Sequence, residues 1–136
     1  MGAAVSAILG GAMPLTCLIV DDSLEFFEAA RQLLADDGVT VVGFAATSDE
    51  AVEEALALRP DVALVDIDLG AESGLDVARR LAGLPGGGPP VVLISAESGS
   101  ELAELVDASG ARGFVSKTDL SGDAIRKLVD HAGAGG

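Results

Sequence analysis

Five short apolar segments recur along the chain, each separated from the next by a stretch whose apolar residues follow helical spacing. This alternation constrains the fold more than any other feature. The segments are TCLIV (16–20), VTVVGFA (39–45), DVALVD (61–66), PVVLIS (90–95) and RGFVS (112–116), each about the length of a strand. Between them, Ser23 to Asp36 reads as a helix with Phe26, Ala29, Ala30 and Leu33 on one face and Phe27 beside it, either as edge packing or as part of a contact surface. Thr47 with Glu50 is a capping-box pattern that opens a second helix, which runs to about Leu58 before Pro60 stops it. Leu75 to Leu81 and about Glu101 to Ser109 give a third and a fourth, and Ser121 can cap a fifth that carries Ile125, Leu128 and Val129. Strands joined by single helices imply βαβ crossovers and a mostly parallel sheet covered on both faces, a doubly wound α/β fold. The pattern predicts one domain over residues 15–131, with tails at 1–14 and 132–136. The GLPGGGPP stretch, Gly83 to Pro90, suits a surface loop and lacks the glycine spacing of a phosphate-binding loop.

In open α/β sheets the binding crevice lies beyond the carboxyl ends of the strands, where strand order reverses. The polar residues worth singling out sit at such ends: Asp21 and Asp22 after CLIV, Asp66 after VALV, Ser95 after VVLI and Lys117 after GFVS. Each has an ordinary explanation on its own, since acids solvate turns and open helices and a serine caps a turn. Four strands delivering acids, a hydroxyl and an ammonium to one edge is a more specific signal. Mg²⁺ prefers hard oxygen ligands, so Asp22 and Asp66 can bind it directly, Asp21 through water, and the backbone carbonyl of Asp68 can complete the protein's share. Asp66 is also a candidate nucleophile toward a phosphoryl donor. Lys117 can pair with a phosphoryl oxygen, and Ser95 and the Ala96 N–H can donate hydrogen bonds to the product. His131 reads as a solvated residue near the end.

Charge narrows the function classes. Asp and Glu number 22 against 8 Lys and Arg, a net charge of -14, which disfavours binding to nucleic-acid phosphates or anionic lipid. Cys17 is the single cysteine, so neither an internal disulfide nor a thiolate metal cluster can form, which suits a reducing, cytoplasmic compartment. No apolar run is long enough to span a bilayer. MGAAVSAILGGAMPL lacks a basic signal-peptide region and reads as a loose tail; its Gly2/Ser6 match to a myristoylation pattern is read as incidental, and Met13 is an equally good start.

With these residues in view, the sequence resembles the receiver domain of two-component response regulators, CheY-like, over about Leu15 to Val129. CLIVDDS matches the family's first strand and acidic pair, VALVDIDLGAESGLDVAR the phosphoacceptor block, VVLISA the switch block and GFVSKTDLSG the lysine block. The resemblance implies a flavodoxin-like (βα)5 fold with strand order 2-1-3-4-5. It implies phosphorylation of Asp66 by a sensor histidine kinase or phosphotransfer protein, with Mg²⁺ held by Asp21, Asp22, Asp66 and Asp68. It also implies a switch through Ser95 and Phe114 that alters the surface of helix 4, strand 5 and helix 5, roughly 98–132, where a downstream protein or homodimer mate docks. The wording of VVGFAATSDEAVEEA and RGFVSKTDLSG is closest to receivers that precede NarL-type DNA-binding domains. The chain is then either a stand-alone receiver or the receiver part of a longer regulator.

Departures from the family pattern are Leu69-Gly70 in place of Met-Pro and Lys117-Thr118 in place of Lys-Pro. The second makes a cis bond there unexpected and predicts a looser loop. Asp68 and Glu97 add negative charge near the acceptor, with an expected effect on phosphate lifetime. Two rival readings are a degenerate receiver acting only as a binding module, and a haloacid-dehalogenase-like phosphatase. The order of the motifs, acidic pair first, argues against the phosphatase.

Overall fold

The five apolar segments form one parallel sheet in the computed structural model, which describes residues 14–96 and 102–134. The strands are β1 (Leu15–Val20), β2 (Val39–Ala45), β3 (Val62–Asp66), β4 (Val91–Ser95) and β5 (Gly113–Ser116). Their spatial order is 2-1-3-4-5, so the fold is the expected doubly wound, flavodoxin-like one. The helices are α1 (Leu24–Asp36), α2 (Ser48–Leu58), α3 (Gly74–Ala82), α4 (Leu102–Ser109) and α5 (Gly122–Ala134). The last therefore continues past His131 into the segment expected as a tail. Gly2, Ser6 and Glu97 lie outside the described residues.

Side chains alternate across the sheet, so each strand feeds two cores. Leu18, Val20, Ala63, Val65 and Leu93 face α2 and α3, where Ala51, Ala55, Val77, Ala78 and Leu81 are buried. Cys17, Ile19, Leu64, Val92 and Ile94 face α1 and α5, meeting Ala30, Leu34 and Ile125. Every residue of β3 is buried, which explains its unbroken apolar run. Ala51, Ala55 and Ala78 bring small side chains to this core beside the larger Val77 and Leu81.

The expected face of α1 is corrected. Ala29 and Leu33 are exposed, and the covered face is Phe26, Phe27, Ala30 and Leu34. Both sets fit a helical period; the sheet selects the second because Phe27 then meets Phe44 of β2, ring centroids 4.5 Å apart. Phe27 is thus edge packing. The start of α2 follows the capping box with one shift: Thr47 Oγ1 accepts from the Glu50 N–H (3.2 Å), and Glu50 reaches back to the N–H of Ala46 (2.9 Å), one residue before the cap. Arg59 ends α2 in a left-handed conformation, φ 48°, immediately before Pro60.

Register decides what meets at the carboxyl edge. Val20 pairs with Val65, Asp66 with Ile94 and Ser95 with Ser116, so Asp21, Asp22, Asp66, Ser95 and Lys117 emerge at one level. The order reverses between β1 and β3, which opens the crevice there.

Candidate functional site

Asp66 ends β3 with its side chain only slightly exposed, and its two oxygens have separate partners. Oδ1 accepts from the Asp68 N–H (3.0 Å) and Oδ2 from Lys117 Nζ (3.0 Å). Burial pushes the Asp66 carboxyl above its ordinary range and the neighbouring Asp21 charge adds to this, while the Asp68 N–H and Lys117 oppose it.

Asp21 is fully buried. Its Oδ1 accepts from the Ser23 N–H (2.8 Å), and its Oδ2 lies 2.8 Å from Lys117 Nζ as an ion pair. No donor among the described residues makes an aligned hydrogen bond to that Oδ2. Burial works against the Lys117 charge, yet its close contacts with the Asp21 and Asp66 carboxylates outweigh it and raise the ammonium above the usual lysine range. Asp22 is exposed and completes a trio: one oxygen each from Asp21, Asp22 and Asp66 lie within 4.8 Å of one another.

These donors fit a small, hard divalent cation. All are carboxylate oxygens, three acids face one lysine, and the buried Asp21 Oδ2 lacks an aligned donor. The Asp68 carboxylate stands outside the trio and accepts from the Gly70 N–H (3.2 Å); its own N–H steadies Asp66.

A cleft of about 430 Å³ opens in front of Asp66, lined by Asp22, Asp66, Ile67, Asp68, Gly70, Ser95 and Ala96. Ser95 and Ala96 thus share a wall with the carboxylate. Phe114 lies in β5, partly buried against the α2/α3-side core with Val106 and Ala111. The segment after Lys117 carries Thr118 in place of proline. It winds into a 3-10 turn, Lys117–Asp119, capped by Ser116 Oγ, which accepts from the Thr118 N–H (3.4 Å) and lies 3.0 Å from Thr118 Oγ1. No cis peptide occurs among the described residues.

Four residues to which the sequence assigned no role at the site support it. Gly74 opens α3 against the Asp66 backbone, where a Cβ would fall 1.9 Å from the Asp66 carbonyl oxygen. Gly70 adopts φ +74° in the turn closing a two-residue antiparallel ladder, Asp68–Leu69 with Glu72–Ser73. Glu72 then accepts from the Ser48 N–H (2.9 Å), tying this turn to α2. Phe26, expected only as core, lies with its ring centroid 4.3 Å from Lys117 Nζ.

A doubly wound sheet with an acid trio and a lysine at its reversal point defines a class, and comparison with known proteins places the chain within it. The family described as response regulator receiver domain matches residues 17–130, and the chain belongs to that family. Similar proteins include protein-glutamate methylesterase/protein-glutamine glutaminase 5 of Myxococcus xanthus, 34% identical over 89% of this chain and 38% of the relative. An uncharacterized transcriptional regulatory protein of Bacillus subtilis is 33% identical over 82% of this chain and 57% of its own length. The chain therefore spans less than two thirds of these curated relatives. Among solved structures, the signal receiver domain of the response regulator NarL from Mycobacterium tuberculosis superposes with a TM-score of 0.73 at 30% identity, covering 90% of this chain and 98% of that one. Among the described residues no helix is long and apolar enough to cross a membrane.

Proposed function

We propose that this receiver domain accepts a phosphoryl group on Asp66 from a histidine kinase or phosphotransfer protein. The observation that carries the reading is Lys117, which bridges Asp21 and Asp66 beside a cleft whose wall includes Ser95 and Ala96. An Asp66 oxygen forms the new O–P bond as the P–N bond to the donor imidazole breaks. Lys117 pairs with one phosphoryl oxygen, and the Ser95 hydroxyl and Ala96 N–H donate to others. Mg²⁺, held by Asp21, Asp22, Asp66 and the Asp68 carbonyl, supplies charge compensation when bound. Burial raises the Asp66 carboxyl, and Lys117 and the Asp68 N–H act against that rise, in favour of the carboxylate that attacks.

Movement of Ser95 toward the acyl phosphate, followed by Phe114, then biases the surface of α4, β5 and α5 toward a downstream protein or a second copy. The setting is cytoplasmic signalling, with the chain acting alone or as the receiver part of a longer regulator. The test is hydroxylamine treatment of donor-exposed protein. An acyl phosphate on Asp66 is cleaved and leaves a hydroxamate there; a hydroxylamine-resistant phosphate on Ser95 refutes the assignment.

A further inference from the structure

Charge pairing leaves one neighbour of Lys117 unexplained. Its Nζ reaches Asp21 Oδ2 at 2.8 Å and Asp66 Oδ2 at 3.0 Å, and the same atom stands over the Phe26 ring, 4.3 Å from the centroid. The first turn of α1, which carries the ring, is tied in turn to Asp21. Asp21 Oδ1 accepts from the Ser23 N–H (2.8 Å), and Ser23 Oγ caps α1 by accepting from the Phe26 N–H (3.1 Å). The contacts thus close a circuit, Asp21 to Ser23 to Phe26 to Lys117 and back to Asp21.

We propose that Phe26 is a positioning residue for Lys117, and that the rate of phosphoryl transfer depends on an aromatic face at this place in the first turn of α1. The inference rests on the reading that Asp66 is the acceptor and Lys117 meets the phosphoryl group. A lysine ammonium is a point charge on a flexible stem and takes whatever position its contacts impose. Of those contacts, the one with Asp66 changes as that carboxylate becomes an acyl phosphate. The attraction of the ring face for a cation does not depend on the state of Asp66, so it holds the ammonium at the acceptor before, during and after transfer. Phe26 is half-buried, which limits competition from water.

Phe26 also packs against the α1/α5-side core, so its packing and its ring face must be separated. Phe26→Leu keeps an apolar side chain and removes the ring; Phe26→Tyr keeps the ring. With Mg²⁺ and a small acyl-phosphate donor, and with folding checked by amide NMR, Leu slows phosphoryl uptake about three- to tenfold and Tyr stays within about twofold of the parent. Leu reacting as fast as the parent overturns the proposal. Tyr falling as far as Leu also overturns it, since bulk and not the ring face would then be at issue. Ring-current shifts of the Lys117 methylene protons give a readout independent of phosphorylation. An upfield shift in the parent and Tyr variants that is lost in Leu supports the positioning; its absence in the parent overturns it. A parent that takes up no phosphoryl group fails the underlying reading, and the ring-current result still decides the place of Phe26.

Discussion

Gly74→Ala reaches Asp66 without touching its carboxylate. A Cβ at Gly74 would lie 1.9 Å from the Asp66 carbonyl oxygen, 2.7 Å from its carbon and 2.8 Å from Ile67 Cα. All three are backbone atoms, so no flexible side chain can yield. Retreat of the helix is also opposed, because the Gly74 N–H donates to the Ile67 carbonyl at 2.8 Å. Alanine is a better helix former than glycine by up to about 1 kcal/mol. Forcing a methyl group into filled space costs about 1–3 kcal/mol, and here it must move a strand end. Overpacking wins, and the expected net loss is about 1–2 kcal/mol. Gly83→Ala, at the other end of the same helix, is the control: its nearest contact would be 3.6 Å, an ordinary van der Waals distance. That variant should stay within about 0.5 kcal/mol of the parent. Urea unfolding of the three proteins measures both values, and phosphoryl uptake should fall in Gly74→Ala alone. A Gly74→Ala protein as stable as the parent, or more stable, would show that Gly74 is an ordinary helix residue and refute the reasoning.

Asp66→Asn should raise the unfolding midpoint at neutral pH, because the fold disfavours the charge it removes. The sign follows from a native carboxyl raised above its unfolded value: the penalty is absent below the unfolded pKa of about 3.9 and grows as pH rises toward the native one. Melting curves across that range test this, and a gain as large in acid as at neutrality contradicts it. Mg²⁺ should stabilise the parent by about 2.7 kcal/mol at a hundred times its dissociation constant. Asp22→Asn, which removes the exposed ligand and leaves the buried ion pairs, should abolish that response in a thermal scan. Asp68→Asn should change the lifetime of the phosphorylated state, followed by phosphate release; identical lifetimes reject a contribution from its charge.

The strands and the site residues at their ends were legible because a parallel sheet converts register into position. Once VALV and CLIV are neighbours, Asp66 and the Asp21/Asp22 pair have one place to go. The α1 face was misread because Ala29/Leu33 and Phe27/Leu34 satisfy the same period, and only the position of Phe44 on β2 separates them. Gly74 was invisible for a different reason. Its requirement is a backbone approach across the turn from β3, and nothing local in ESGLD reports that distance. The Phe26 contact joins two residues 91 positions apart, in α1 and after β5, which periodicity read along one helix cannot reveal. At Thr118 the missing proline gives no hint of the 3-10 turn and serine cap that the segment adopts.

The most direct measurement is intact mass after incubation with Mg²⁺ and a phosphoramidate donor, for the parent and for Asp66→Asn. One labile phosphoryl group on the parent and none on the variant is the predicted result. A folded parent that stays unmodified by an active donor, or a variant that gains the same adduct, contradicts the assignment of Asp66 as the acceptor.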